Sequence, residues 1–109
     1  MGAINVKSAE VLKEEFLANT RTRLTSLIQS TLDEKAKERN YDSMLSLCTY
    51  ATSLNDKFSS EGQAGVKWRD EVWAKGYVIL ADVESGQRTI PSDDELISEL
   101  PLFTWSVVD

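Results

Sequence analysis

The chain is predicted to be all-α, and two observations carry the prediction. Apolar residues recur at helical spacing in three stretches, each opened by its own start signal. Breakers are scarce: residues 8–39 hold no Pro or Gly, and the two prolines, Pro91 and Pro101, bracket one short segment. The pattern centres on the run from Val66 to Leu80, which contains Trp68, Trp73 and Tyr77. At 3.6 residues per turn, Val66, Trp73, Tyr77 and Leu80 share a face, and Trp68, Val72, Ile79 and Val83 form the stripe beside it. A surface helix needs an apolar stripe of only about 100°. The wider coverage here predicts a central helix, enclosed on several sides and ending near Glu84, with Gly86 placed to take the left-handed stop conformation.

The elements follow in order. Ser8 is a helix N-cap, because its hydroxyl accepts from an unpaired first-turn amide. Val11, Leu12, Phe16 and Leu17 follow, then Leu24, Leu27, Ile28 and Leu32, with a weaker pattern across residues 19–23. One long helix over 8–39 is expected, the alternative being two helices kinked near Asn19–Thr22. Its stripe is narrow, which suits packing along one groove of this domain or of a second copy. Residues 1–38 are therefore read as an interaction arm, with Phe16, Leu24 and Ile28 as partner contacts, and residues 39–101 as a module that folds without it. The mixed charges of Asp33–Arg39 read as a solvated helix end.

Asn40 is expected to cap a second helix whose face is Met44, Leu47, Cys48, Ala51 and Leu54, with Leu45 beside it. Asn55–Lys57 reads as a turn, and Ser60–Gln63 as a capping box with Phe58 stapling the entry. Tyr41–Glu84 is thus a helical hairpin. Gly62 and Gly65 match no phosphate-loop spacing. Gly76, which costs about 1 kcal/mol relative to Ala in mid-helix, marks a close helix–helix approach. Residues 87–90 link to a short helix, Ser92–Leu100. A Ser92/Glu95 capping box opens it, with Asp93 and Asp94 at its positive end; Leu96, Ile97 and Leu100 face inward, and Pro101 closes it. The apolar tail, residues 102–109, has two readings. Either Leu102, Phe103 and Trp105 fold back onto the core, or Phe103, Trp105 and Val107 dock on a neighbouring subunit, adding a strand to its sheet edge.

Composition excludes several functions. A net charge of −6 argues against nucleic acid and against anionic membrane surfaces, since both need clustered Lys and Arg. The absence of histidine removes Ser-His and Cys-His catalysis and the commonest metal ligand. Cys48, the single cysteine, reads as a small buried hydrophobe. Asp93-Asp94-Glu95 is a capped helix start and matches no calcium loop. Arg69 beside Asp70 and Glu71 reads as a pair that fixes the packing of two elements. No enzyme activity, cofactor or metal site is expected. Met1–Val6 lacks a secretory leader, Val6 breaks the myristoylation motif, and no apolar run reaches membrane-spanning length, so a soluble chain made in the cytoplasm is expected.

One further signal lies in the succession Arg39-x-Tyr41-Asp42-Ser43, Tyr50-Ala51, Phe58, Glu61-Gly62, Trp68-Arg69-Asp70, Val72-Trp73, Tyr77, Val83-x-x-Gly86 and Pro91-x-x-x-Glu95-Leu96-Ile97-x-Glu99-Leu100-Pro101. Over about 60 residues it resembles a small α-helical module of tailed bacteriophages and prophages, found in tail-associated or tail-fibre-adjacent virion proteins. The resemblance implies a structural protein of the tail or head–tail region, bound to other virion proteins or to copies of itself and residing in the virion. An assembly chaperone for a tail or tail-fibre protein is the alternative, and a host-directed effector a more distant one. The resemblance supplies no catalytic residues.

Overall fold

A computed structural model describes residues 8–105. Four helices follow one another: α1 (Ala9–Lys37), α2 (Met44–Thr49) continued by a 3-10 turn (Tyr50–Thr52), α3 (Asp56–Glu84) and α4 (Asp93–Glu99). The all-α expectation holds, and α1 is a single helix. Ser8 caps it, accepting from the Val11 amide at 3.2 Å. The Ser92/Glu95 capping box forms at α4. Gly86 takes φ +77°, as a left-handed stop requires.

α1 and α3 are 29 residues each and run antiparallel. Arg21 meets Glu84 at 2.6 Å near one end, and Arg39 meets Glu61 at 2.7 Å near the other. α1 buries Thr20, Leu24, Ile28, Leu32 and Ala36, a row at four-residue steps that forms one ridge of the helix surface. α3 answers with Gly62, Gly65, Trp68, Val72, Gly76, Ile79, Leu80 and Val83. A Cβ on Gly76 would lie 2.8 Å from Cδ1 of Ile28, so the expected close approach is real and α1 is the helix that makes it. Gly65 faces the Leu47 side chain in the same way. Met44 and Leu47 of α2, and Leu96 and Leu100 at α4, complete the core.

α4 is tied down from two sides. Arg23 of α1 pairs with Asp93 and donates to the Pro91 carbonyl at 3.0 Å. Arg88, ahead of α4, grips Glu99 with two bonds of 2.8 Å. That fork holds the Glu99 carboxyl below its usual range.

Several expectations are corrected. Leu24 and Ile28 are fully buried inside the chain's own fold, so they offer nothing to a partner, and α1 supplies four of the thirteen buried core residues. Asn40 does not cap a helix: it takes φ 69° in the reversal after α1, and Ser43 caps α2. α3 begins at Asp56, capped by Asn55 accepting from the Phe58 amide at 3.0 Å, so the supposed turn is the first turn of the helix. Of the stripe Val66, Trp73, Tyr77 and Leu80, only Leu80 is buried; Tyr77 is 57% exposed, and Val66 and Trp73 are half-buried. Leu45, Leu54 and Ile97 are exposed as well. Arg69 pairs with Asp70, its neighbour on α3, and its side chain also reaches Cys48 of α2, so it does join two elements.

Candidate functional site

Two regions of the surface stand apart from the packed body, one at each end of α1.

The first is the start of α1. Because Arg21 already sits opposite Glu84, the end of α3, the residues before Thr20 project beyond it. At 1.5 Å per residue the projection is about 18 Å long. It exposes Val11 (40%), Leu12 (53%) and Phe16 (59%). Phe16, with Leu12 four residues before it, continues the four-residue steps of the buried row past the end of α3. The patch is the same ridge where α3 no longer covers it. Of the partner-contact residues anticipated on α1, Phe16 alone lies on an open face.

The second region is built from the other end of α1 and the segments packed against it. Six aromatic rings follow one another in contact. Trp68 touches Phe103 at 4.8 Å between centroids, and Phe103 meets Trp105 at 4.7 Å. Trp105 stacks on Tyr41 at 6.5 Å. Tyr41 meets Tyr50 at 5.3 Å, and Tyr50 meets Phe58 at 5.6 Å, both edge to face. Such pairs add about 0.5–1.5 kcal/mol each beyond the area they bury. The Trp68 indole also donates to the Pro101 carbonyl at 2.7 Å, which anchors the chain leaving α4. Phe103 and Trp105 thus fold back onto the core, as the first reading of the tail has it. Leu102 does not join them and is 95% exposed. Val107 lies outside the described residues.

Beneath the rings sits Glu61, only 2% exposed. Its carboxylate accepts from Arg39 at 2.7 Å and from the Tyr41 hydroxyl at 3.0 Å. Burial, reinforced by this bond to an anion, pushes the Tyr41 phenol up to about 12. The Arg39 guanidinium lies 5.0 Å above the centre of the Trp105 ring, a cation–π contact. Sequence reasoning placed Glu61 in a capping box; α3 starts a turn earlier, which frees that carboxylate to serve as an acceptor at the helix junction.

Beside this node lies a cleft of about 390 Å³, walled by Tyr41, Tyr50 and Phe58 and rimmed by Glu38, Asn40 and Lys57. Neither region offers a nucleophile paired with a base. The Cys48 thiol, half-buried, is held protonated by burial. Among the described residues no cluster of three or more Cys, Asp or Glu could hold a metal ion, and no helix is long and apolar enough to cross a membrane. In comparisons with protein-family models, with curated proteins and with solved structures, nothing matches this chain.

Proposed function

We propose that this protein is a structural component of a tailed bacteriophage, in the tail or head–tail region, and that it works by binding other virion proteins. The observation that supports binding is the α1 projection: a helix that outruns its partner and exposes Val11, Leu12 and Phe16 together. Packing among the described residues leaves Leu12 and Phe16, one helical turn apart, more than half exposed, and an apolar patch on a protruding helix is the surface a partner protein covers. The phage setting rests on the sequence resemblance alone. The packed body, with its aromatic ribbon, then serves as the base that holds the projecting helix at a fixed angle.

The test uses a phage that carries the gene. Leu12→Asp with Phe16→Asp should leave the thermal unfolding of the purified protein unchanged, because neither side chain touches the core. Mass spectrometry of purified particles should find the unaltered protein at fixed stoichiometry and the double variant missing. Absence of the unaltered protein from particles, with a tail protein copurifying from lysates, would instead identify an assembly chaperone. Normal incorporation of the double variant would refute binding through the projection.

A further inference from the structure

We infer that the occupant of the projecting ridge is a second copy of this chain, lying antiparallel so that Leu12 of each protomer packs on Phe16 of the other. The inference rests on the reading that the projection binds a protein, and it names that protein.

The uncovered stretch is its own complement. Every residue from Ala9 to Asn19 is exposed except the half-buried Leu17, and cover begins at Thr20. The midpoint of residues 9–19 is Glu14, and Glu14 is also the midpoint of Leu12 and Phe16. A two-fold axis through that midpoint, perpendicular to both helices, therefore sets Leu12 against the partner's Phe16 and Phe16 against the partner's Leu12. The same axis covers the stretch from end to end. Isologous pairing needs a patch that is self-complementary in this way.

Continuity with the fold supports the same arrangement. α3 runs antiparallel to α1 and covers its four-residue ridge as far as Thr20, and Phe16 and Leu12 carry that ridge on. An antiparallel second copy takes up the line of α3 and packs on the same ridge. The way is open, because the chain turns back where α3 ends: Gly86 takes φ +77°, and the Gln87 and Arg88 amides donate to the Asp82 carbonyl. A parallel copy on this ridge would instead run into α3 at Thr20. Helix polarity agrees, since the positive start of the partner's α1 lies toward the negative end of α3. Lys13 and Glu15 flank the ridge about 80° to either side, and the two-fold sets each near its own kind, so apolar contact carries the pairing. One helix pair over residues 9–19 also falls below the roughly 1,200 Å² at which standard interfaces begin, which places the dimer in the weak class.

The experiment is sedimentation equilibrium of the full chain across about 5–500 μM, a range that spans weak association. The mass should rise with concentration from the 12.2 kDa of one chain toward twice that value. Phe16→Asp should raise the dissociation constant at least about tenfold. Geometry is read by oxidative cross-linking. Lys13→Cys should join two copies, whereas Glu14→Cys, on the far side of the helix, and the parent with Cys48 alone should not. A monomer at every concentration, a dimer indifferent to Phe16→Asp, or cross-linking through position 14 would overturn the inference. Incorporation into particles is scored separately. A monomer whose incorporation still needs Leu12 and Phe16 overturns the second copy and leaves the projection binding another virion protein. A parent dimer beside normal incorporation of the Leu12→Asp, Phe16→Asp variant supports the second copy and refutes only binding to the particle through the projection.

Discussion

Gly62 and Gly76 occupy the same helix and the same buried face, yet alanine at the two positions should have unequal consequences. A methyl on Gly62 would lie 2.4 Å from the Ala51 nitrogen, 2.6 Å from the Tyr50 carbonyl carbon and 2.8 Å from the Ala51 Cα. All three are backbone, and none can rotate aside. Relief requires the 3-10 turn to move off α3 by about 1 Å, which loosens the Ser59 bond to the Ala51 carbonyl and tilts Tyr50 between its aromatic neighbours. Overpacking of this kind costs about 1–3 kcal/mol, and a backbone clash belongs at or beyond the top of that range. The gain in helix propensity, about 1 kcal/mol, offsets part of it. Gly62→Ala should therefore lose about 2–3 kcal/mol in urea titration and lower Tm by on the order of 10 °C. At Gly76 the obstacle is Cδ1 of Ile28, the far end of a flexible side chain. A shift of that methyl costs about as much as the propensity returns, so Gly76→Ala should stay within about 1 kcal/mol of the parent. Ile28→Val deletes the obstructing carbon. It should cost about 0.5–1.5 kcal/mol alone and distinctly less beside Gly76→Ala. Equal damage from the two glycine substitutions, or no coupling between positions 28 and 76, would refute the packing described.

Three more predictions concern the node and the tail. Arg39→Ala should be more damaging than Glu61→Ala, at about 3 kcal/mol by denaturant titration, because it strands a carboxylate that is 2% exposed, whereas Arg39 rehydrates easily when its partner is lost. Tyr41 keeps its proton in the fold up to a pKa of about 12, against an ordinary 10, so its contribution to stability is complete below pH 10 and is lost as pH rises toward 12. Absorbance at 295 nm should show one late-titrating phenol, and Tyr41→Phe should remove both it and the alkaline loss. Deleting residues 102–109 should lower Tm measurably, since it takes Phe103 off Trp68 and Trp105 off Tyr41 and Arg39; unchanged stability would mean the ribbon contributes nothing.

Much of the fold was legible because local signals agreed with it. The uninterrupted run 8–39, the Ser92/Glu95 box and Gly86 each act within a few residues, and each appears where expected. Boundaries slipped where two positions offered the same chemistry. Asn55 and Ser60 are both good caps, and only packing of the first turn of α3 against the 3-10 turn selects the earlier one. Asn40 is equally suited to a cap and to a left-handed reversal, and the reversal prevails because Ser43 supplies the cap. The stripe Trp68, Val72, Ile79 and Val83 is buried as expected, but Tyr77 was taken as enclosed too because apolar side chains alone were counted. The buried row of α3 runs through glycines: residues 62, 65, 72, 76, 79 and 83 follow alternating steps of three and four once position 69 is filled in, a coiled-coil seam in which three contacts are made by the absence of a side chain. Trp68 takes the buried place beside Arg69. The aromatic ribbon was hidden for another reason. It joins residues 41, 50, 58, 68, 103 and 105, separations that no local pattern reports.

The same separations order events during synthesis. α1 leaves the ribosome before the other helices, and at 29 residues it is well above the length of about 12–15 residues below which isolated helices are marginal. Its inner row of Leu24, Ile28 and Leu32 then waits, uncovered, until α3 has emerged at Glu84. The node at Glu61 forms in that interval, but Trp68 stays bare on one side until Phe103 arrives, and Arg39 until Trp105. Between the synthesis of α1 and that of α3 the nascent chain thus carries a helix seeking a groove, and the groove comes from its own later residues. Anything that slows elongation between residues 40 and 84 prolongs the period in which another polypeptide can occupy that ridge instead.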